Sequence, residues 1–277
     1  PVAWRRNEAV AMNVIPLGVF ELSLASLLVL LLAFLSFRSK LEIERPLLIA
    51  ALRTTIQLSL IGLVLNLVFN TMNFWLVLFI WSLMLIAAGY EVMSRQKVKV
   101  RGAGGFLIGS SSMLVSSFSI MLLILVLVIR VEPWYSPRYA IPILGMLLGN
   151  TMNGVALAMN TFSSLCWGRR AVIEQRLALG QTATDAIEDI WRESVRTGLI
   201  PIINSMAAAG LVSLPGMMTG QILAGNTATD AVRYQILIMF MISSGTGFGV
   251  ILSLWLMRRK MFDGRDRLRM RESFHVS

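Results

Sequence analysis

The sequence has one cysteine, Cys166, and one histidine, His275. A single cysteine cannot form a disulfide within the chain, and a histidine in the C-terminal tail supplies no imidazole ligand inside a membrane. Charged residues are also few, at 14% of the chain against 56% hydrophobic residues. This balance excludes an ordinary soluble domain.

Motifs for nucleotide binding and hydrolysis are missing as well. The glycine-rich stretch 102–105 lacks the Lys-Ser/Thr pair that completes a phosphate-binding loop, and we expect no strand before it. The sequence shows no nucleophile–base pair and no spacing typical of metal ligands. We therefore expect a non-catalytic chain that binds no cofactor itself.

The apolar residues lie in long blocks, most of which have the roughly 20 residues that a helix needs to cross a bilayer. The blocks are Leu17–Phe37, Leu47–Phe69, Phe74–Tyr90, Phe106–Ile129, Tyr139–Met159, Thr197–Leu214 and Tyr234–Met257. The sixth block is slightly short, and the fifth and seventh contain small and polar residues. Because barrel-type alternating segments are absent, we predict an all-α integral membrane protein with about seven transmembrane helices.

The net charge of +10 reflects orientation rather than nucleic-acid binding. Nineteen of the 25 basic residues lie on alternate loops, around residues 38–45, 95–101, 169–196 and 258–271. The positive-inside rule then predicts an outside N-terminus and a cytoplasmic C-terminus. The basic tail, 258–277, is expected to contact lipid headgroups.

Three parts follow from this pattern: an N-terminal extension (1–16), a transmembrane domain (17–257) and the basic tail. Residue 1 is not methionine, and Met12 shortly precedes the first apolar block. We interpret residues 1–11 as a tag, an upstream extension or a mis-set start. The first block is too long for the core of a cleavable signal peptide.

Polar residues inside the apolar blocks are candidates for a substrate pathway. Arg53 and Gln57 lie one helical turn apart; Arg53 either extends to the headgroups or faces the bundle interior, where an intramembrane charge indicates a functional site. By depth, Glu91 is a partner for Arg53. Asn150 and Asn153 either line the pathway or form interhelical hydrogen bonds.

Glycine and proline positions predict close helix contacts and a broken helix. Gly145 and Gly149 have the spacing of a helix–helix interface. After the sixth block, proline and glycine interrupt an apolar stretch, and non-helical backbone at membrane depth needs protein or a water-filled cavity around it. We predict a short re-entrant or outer-leaflet helix at Met217–Ala224.

The longest polar interval, 160–196, predicts two helices. The first ends at Gly180, a residue that commonly stops helices. The second begins after Thr182 or Thr184, with Asp185 in its first turn, where acidic residues suit the helix dipole. From these residues alone, the interval is either an amphipathic connector on the cytoplasmic surface or a docking element.

The interval resembles the cytoplasmic EAA loop of ABC-transporter permeases. Glu174 precedes Gly180 by six residues, and Ile190 follows it by ten. Gln175-Arg176 and Arg192-Glu193 depart from that pattern. The chain also resembles the FetB-type permease family of bacterial iron exporters and plant aluminium-tolerance proteins. The resemblance lies in three segments, Ile141–Asn150, Gly210–Gly225 and Tyr234-Gln-Ile.

This resemblance implies a homodimeric permease of the inner membrane that pairs with a separate ATPase subunit, which binds ATP and Mg. Docking would fall on the turn around Gly180, with Glu174, Ala178, Leu179, Gly180 and Asp185. The pathway would include Arg53, Gln57, Glu91, Asn150, Asn153, Met217, Met218 and Gln221. The alternatives are an ATP-independent channel or secondary carrier, and a membrane receptor or scaffold.

The substrate implied by the resemblance is iron or another metal, moved in the export direction. The residues themselves offer thioether ligands, which suit Cu(I) better than iron. These candidates are Met146, Met152, Met217 and Met218, and the other role for each is packing.

Overall fold

A computed structural model describes residues 18–270 and 274–276. The predicted N-terminal extension therefore lies outside the described residues. The helices are α1 (Val19–Arg38), α2 (Glu44–Asn70), α3 (Phe74–Ser94), α4 (Gly104–Leu123, continued by a π-helix Ile124–Ile129), α5 (Pro137–Gly168), α6 (Arg170–Ala178), α7 (Ala183–Ala186), α8 (Glu188–Ala208), α9 (Gly216–Leu223) and α10 (Ala228–Met261). Two short strands, β1 (Val98–Val100) and β2 (Phe274–Val276), accompany them.

Six helices of the described chain are long and apolar enough to cross a membrane: α1, α2, α3, α4 with its π-helix, α5 and α10. They coincide with six of the seven predicted blocks. The sixth block differs, because α8 begins at the charged residues Glu188 and Asp189 and ends at Ala208, before the predicted Leu214. Its apolar part, residues 197–208, is only about 18 Å long at 1.5 Å per residue. A seventh crossing stays a prediction.

The chain forms two compact units. The first contains residues 18–73 and 221–226, and in it α1 packs against α2. The Ser36 hydroxyl ties the loop between these helices, because it donates to Glu44 Oε2 at 3.0 Å and accepts from the backbone N–H of Ile43 at 3.3 Å. The second unit, residues 74–220 and the described residues from 227 onward, holds both strands and the other helices, apart from the last three residues of α9.

The second unit is held together where small residues allow helices to touch. A Cβ on Gly198 of α8 would lie 2.9 Å from the carbonyl oxygen of Gly154 on α5 and 2.7 Å from Ala158 Cβ. On α10, a Cβ on Gly249 would lie 2.5 Å from Thr151 Cγ2. The close helix contact predicted at Gly149 is not found in the described chain, since a Cβ there would meet no atom within 4 Å. The tight contact of α5 with α8 lies more than one turn further along, at Gly154.

The end of the second unit where α3 stops and α4 starts is named the basic end, after Arg95, Lys97, Lys99 and Arg258. Here β1 pairs antiparallel with β2, with Lys99 opposite His275, and Val98, Val100 and Phe274 are buried. The mostly helical fold agrees with the predicted all-α membrane class, whereas β1 contradicts the expectation of no strand before the glycine stretch 102–105. Three-residue strands are too short to give a sequence pattern.

Two helices are much longer than a bilayer requires. At 1.5 Å per residue, α5 with 32 residues and α10 with 34 extend about 48 and 51 Å, against a hydrocarbon thickness of about 30 Å. Asn153 of α5 bonds with Arg95, just past the end of α3. The final 15 residues of α5 therefore extend beyond the basic end of α3. Residues 258–261 continue α10 rather than beginning a separate tail.

The opposite end of the second unit carries an aromatic cluster. Phe74, at the start of α3, makes edge-to-face contacts with Trp134 and Tyr135 from the loop before α5, with ring centroids 5.9 and 5.4 Å apart. The ring centroids of Trp81 and Trp134 lie 6.1 Å apart. Tryptophan and tyrosine favour the membrane–water interface, so this cluster fits the level at which the helices leave the hydrocarbon.

Candidate functional site

A tight turn joins α6 to α7. Gly180, with a φ of +89°, adopts the left-handed conformation that favours glycine. Its N–H donates to the Leu177 carbonyl at 3.0 Å, and the N–H of Gln181 donates to the Arg176 carbonyl at 3.1 Å. Thr182 Oγ1 then accepts from the N–H of Asp185 at 3.2 Å and donates to its carboxylate at 2.7 Å. The predicted helix stop at Gly180 and the N-cap at Thr182 are both present.

The tip of this turn is exposed and apolar. The Leu179 side chain is 82% exposed, and its neighbours Ala178 and Gly180 are exposed as well. Beneath the tip, Ile173, Ala186, Ile187 and Ile190 are fully or almost fully buried. The turn therefore presents one large apolar side chain on a packed base. Glu174 and Asp185 lie exposed on its flanks.

An ion-pair network braces the turn against α8. Arg176 donates to both carboxylate oxygens of Asp189, at 2.7 and 3.3 Å, and to the carbonyl of Ala186 at 2.9 Å. Arg169 lies 3.7 Å from Asp189 and 3.9 Å from Glu193. The hydrogen bond from Arg176 lowers the pKa of Asp189, and Asp189 in turn raises the pKa of Arg176.

Two residues that depart from the permease pattern take part in this network. Arg176 stands where that pattern has alanine, and Glu193 stands where it has proline. In the structure both side chains are partners in the network around Asp189 and Arg169. These charges replace the pattern's small and rigid residues with a polar brace.

The turn is also attached to the end of α10. Arg258 donates to Thr184 Oγ1 at 3.2 Å, and the N–H of Ala183 donates to the carboxylate of Asp266 at 3.4 Å. The Asp263 carboxylate accepts from the N–H groups of Arg265 and Arg267, both at 2.9 Å, which lowers the pKa of Asp263 and orders the turn after α10. A displacement of the turn between α6 and α7 would therefore act on both α8 and α10.

Two of the predicted pathway residues meet at the basic end. Arg95 donates to Glu91 from Nε at 3.2 Å and from a terminal nitrogen at 3.0 Å, and its other nitrogen donates to Asn153 at 2.8 Å. Glu91 and Asn153 thus join α3 to α5 through Arg95, a residue that the sequence analysis did not select. Asn150 donates to the Met146 carbonyl in its own helix at 2.8 Å.

Three pathway candidates, Arg53, Gln57 and Gln221, belong to the first unit. Arg53 and Gln57 are exposed on neighbouring turns of α2, and Gln221 at the end of α9 is half-buried. The pairing of Arg53 with Glu91 stays a prediction.

One of the four methionine candidates lines a cavity of the second unit. Met218 lines a cavity of about 510 Å³ with Met206 of α8 and Met239 of α10. Gln235, one turn before Met239, also lines it; this side chain is only 8% exposed, and its Oε1 has no partner in the described chain. Met146, Met152 and Met217 are not among the lining residues. The predicted helix at Met217–Ala224 is confirmed as α9.

Sequence reasoning missed Met206, Gln235 and Met239 because they come from two helices distant in the chain. The spacing of Gln235 and Met239 places them on one face of α10, but nothing in the sequence shows that Met206 and Met218 face the same space. Among the described residues, no three His, Cys, Asp or Glu side chains group as metal ligands.

Comparison with known proteins supplies the family. The profile of an uncharacterised protein family, UPF0014, matches residues 19–262. A UPF0014 membrane protein of Synechocystis is 37% identical over 231 residues, covering 82% of this chain and 87% of the relative. The probable iron export permease protein FetB of Escherichia coli is 33% identical over 248 residues, covering 90% and 93%.

A plant relative shows the same extent of similarity. The protein ALUMINUM SENSITIVE 3 of Arabidopsis thaliana is 32% identical over 239 residues, covering 86% of this chain and 85% of the relative. No solved structure matches the chain. With its apolar helices and these relatives, the chain is a multi-pass membrane protein that belongs to the UPF0014 family.

Proposed function

We propose that this protein is the permease subunit of an ABC transporter and that the turn around Leu179 inserts into a groove of the ATPase subunit. The observation that carries the proposal is an apolar side chain, 82% exposed, at the tip of a turn that is braced on two sides. A mobile connector would need no such brace. A docking element does, because a load applied at its tip must reach the membrane helices.

The path of that load is short. The docking turn, residues 178–182, leads through α7 directly into α8, and α8 touches α5 through the contact of Gly198 with Gly154. The bond from Arg258 adds α10. We propose that ATP binding and hydrolysis in the partner rock α5, α8 and α10 together as a rigid body, a recognised kind of switching motion.

The remaining features of the transporter are part of the same proposal. The basic end is cytoplasmic, seven helices cross the inner membrane, and the N-terminus is outside. Two copies of the chain form a homodimer, because one chain has one docking turn and an ABC transporter needs two ATPase contacts. ATP and Mg bind to the partner and not to this chain.

The proposed substrate is iron or another metal, moved outward. Support comes from the name of the Escherichia coli relative, a probable iron export permease. The cavity between Met206, Met218 and Met239 offers sulfur ligands, which suit softer cations. The other pathway residues, Arg53, Gln57, Glu91, Asn150, Asn153 and Gln221, stay candidates for the cation's route.

The docking proposal is tested by co-purification with a co-expressed candidate ABC ATPase subunit. A Leu179→Glu variant is expected to lose the ATPase on an affinity column while melting at the temperature of the unmodified chain. Val172→Glu is the matched control, because Val172 is also exposed on α6 but lies away from the tip. Full retention of the ATPase by Leu179→Glu would refute the docking role.

Transport is tested separately with inside-out vesicles that contain both subunits. ATP-dependent accumulation of iron, lost with Leu179→Glu and kept with Val172→Glu, is expected. Accumulation driven by an ion gradient without ATP would instead identify a secondary carrier.

A further inference from the structure

We propose that a groove between α4 and α10 binds one anionic phospholipid, with its acyl chain between the helices and its phosphate at the basic end. The groove has a volume of about 490 Å³ and an almost entirely apolar wall. Its main lining residues are Val115, Ile120, Phe248, Ile251, Trp191 and Trp255. The site does not depend on the transporter proposal, since it requires only a membrane around the chain.

The residues along α10 follow the polarity profile of one bilayer leaflet. Phe248 and Ile251 are exposed and apolar, Trp255 follows one turn later, and Arg258 and Arg259 follow after another turn. From Phe248 to Arg259 the helix rises about 16 Å, close to half of a hydrocarbon core of about 30 Å. The apolar residues therefore lie at the level of the acyl chain, Trp255 lies at the interface, and the two arginines lie at the level of the phosphate.

The level of the headgroup is fixed by the neighbouring helix. Gly104, the first residue of α4, lies beside Lys260, since a Cβ added to it would be 4.0 Å from Lys260 Cε. Arg258 and Arg259 therefore lie where α4 begins, at the basic end. Arg259 stacks over the ring of Trp255 at 3.8 Å from its centroid, which fixes a guanidinium at the rim of the groove.

A second pocket, lined in part by charged side chains, adjoins the groove at Trp191, which lines both. It has a volume of about 250 Å³ and is lined by Thr184, Ile187, Glu188, Arg192 and Arg258. Arg192 pairs with Glu188, so these two charges offset each other. Arg258 donates to the neutral hydroxyl of Thr184. Its charge is therefore available for a phosphate, and with Arg259 it forms a cationic site above an apolar groove.

Charge complementarity identifies the occupant. Basic pockets between membrane helices bind anionic headgroups, and each arginine near the surface contributes about 1 kcal/mol of attraction to an anionic leaflet. Two such residues predict a preference of about 10–30-fold for an anionic over a zwitterionic lipid of the same chains. A purely apolar ligand would not need Arg258 and Arg259 at the rim.

The test uses the full chain without its ATPase, reconstituted with equal amounts of dioleoylphosphatidylglycerol and dioleoylphosphatidylcholine. Native mass spectrometry after extraction counts the lipids retained. One phosphatidylglycerol per chain is expected, in preference to phosphatidylcholine. Combined Arg258→Gln and Arg259→Gln should remove the preference, and Ser119→Trp should remove retention of both lipids, because Ser119 lines the groove.

Arg233→Gln is the matched control, because Arg233 lies at the opposite end of α10, 3.7 Å from Asp230. It is expected to behave like the unmodified chain. Equal retention of the two lipids by the unmodified chain, or unchanged preference in the double variant, would overturn the proposal. If Ser119→Trp instead dissociates a dimer without changing lipid retention, the groove is an interface between two copies, which also overturns it. This experiment does not measure ATPase docking, so a negative result would not contradict the transporter proposal.

Discussion

Replacement of Gly198 by alanine tests the contact through which the docking turn would act on the membrane helices. The added Cβ would lie 2.9 Å from the Gly154 carbonyl oxygen and 2.7 Å from Ala158 Cβ. Neither neighbour is the end of a flexible side chain, so α8 and α5 must separate by roughly half an ångström. Overpacking of this kind typically costs about 1–3 kcal/mol.

A matched glycine isolates that packing cost. Gly247 is also inside a long helix, but a Cβ added there would meet no described atom within 4 Å. In both variants, replacement of glycine by alanine inside a helix stabilises the folded state by about 0.5–1 kcal/mol. The difference between the two variants is then the packing cost alone. At about 2–4 °C per kcal/mol for a domain of 150–250 residues, Gly198→Ala should melt about 2–12 °C below Gly247→Ala.

The assay is thermal unfolding of the purified chain in one detergent, followed by ATPase coupling measured with the partner present. We expect Gly198→Ala to retain the partner, because the Leu179 tip is unchanged, while ATP-driven transport falls. Equal melting temperatures of the two alanine variants would show that the α5–α8 contact is not tight. The proposal that motion of the docking turn reaches α5 through this contact would then be refuted.

Three further predictions concern the brace and the tail. Arg176→Gln should increase proteolysis of the turn around Gly180, with little loss of overall stability because the ion pair is partly exposed; an unchanged cleavage rate would contradict the brace. Since Arg176 lowers the pKa of Asp189, the brace is complete above the usual Asp pKa of about 3.9 and is lost as pH falls through the lower folded-state value; cleavage should therefore stay constant from about pH 8 to 5, and a rise within that range would refute it. Phe274→Ala, at a side chain only 1% exposed, should cost about 3–5 kcal/mol and release β2, seen as new proteolysis after α10; an intact tail would contradict its burial.

Local signals explain why parts of the docking turn were predictable. Gly180 stops α6 because its left-handed φ suits glycine, and Thr182 caps α7 through its own hydroxyl. Both effects act within a few residues of sequence. The exposed tip at Leu179 follows from the same turn, although its degree of exposure depends on what packs beneath it.

Other parts required contacts between distant residues. The link from Glu91 through Arg95 to Asn153 joins residues about 60 positions apart, and no helical periodicity indicates it. Pattern spacing placed the close helix contact at Gly145 and Gly149, but Gly149 has open space, because a glycine's role depends on which helix lies opposite. The strands β1 and β2 were missed for the same reason: three alternating residues mean little until a partner strand pairs with them.

The sequence by itself determined the membrane class, the positions of six long apolar helices, the presence of a helix break before α9, and the helix–turn–helix around Gly180. These features depend on hydrophobic length, proline and glycine conformation and end capping, which act over one to six turns of chain. Only the tertiary structure decided that Arg176 braces Asp189, that Gly198 touches Gly154, and that Met206, Met218, Met239 and Gln235 share a cavity. Packing between helices selects these contacts, because helices that are similarly apolar can dock on many faces, and shape and charge at a few positions choose among them.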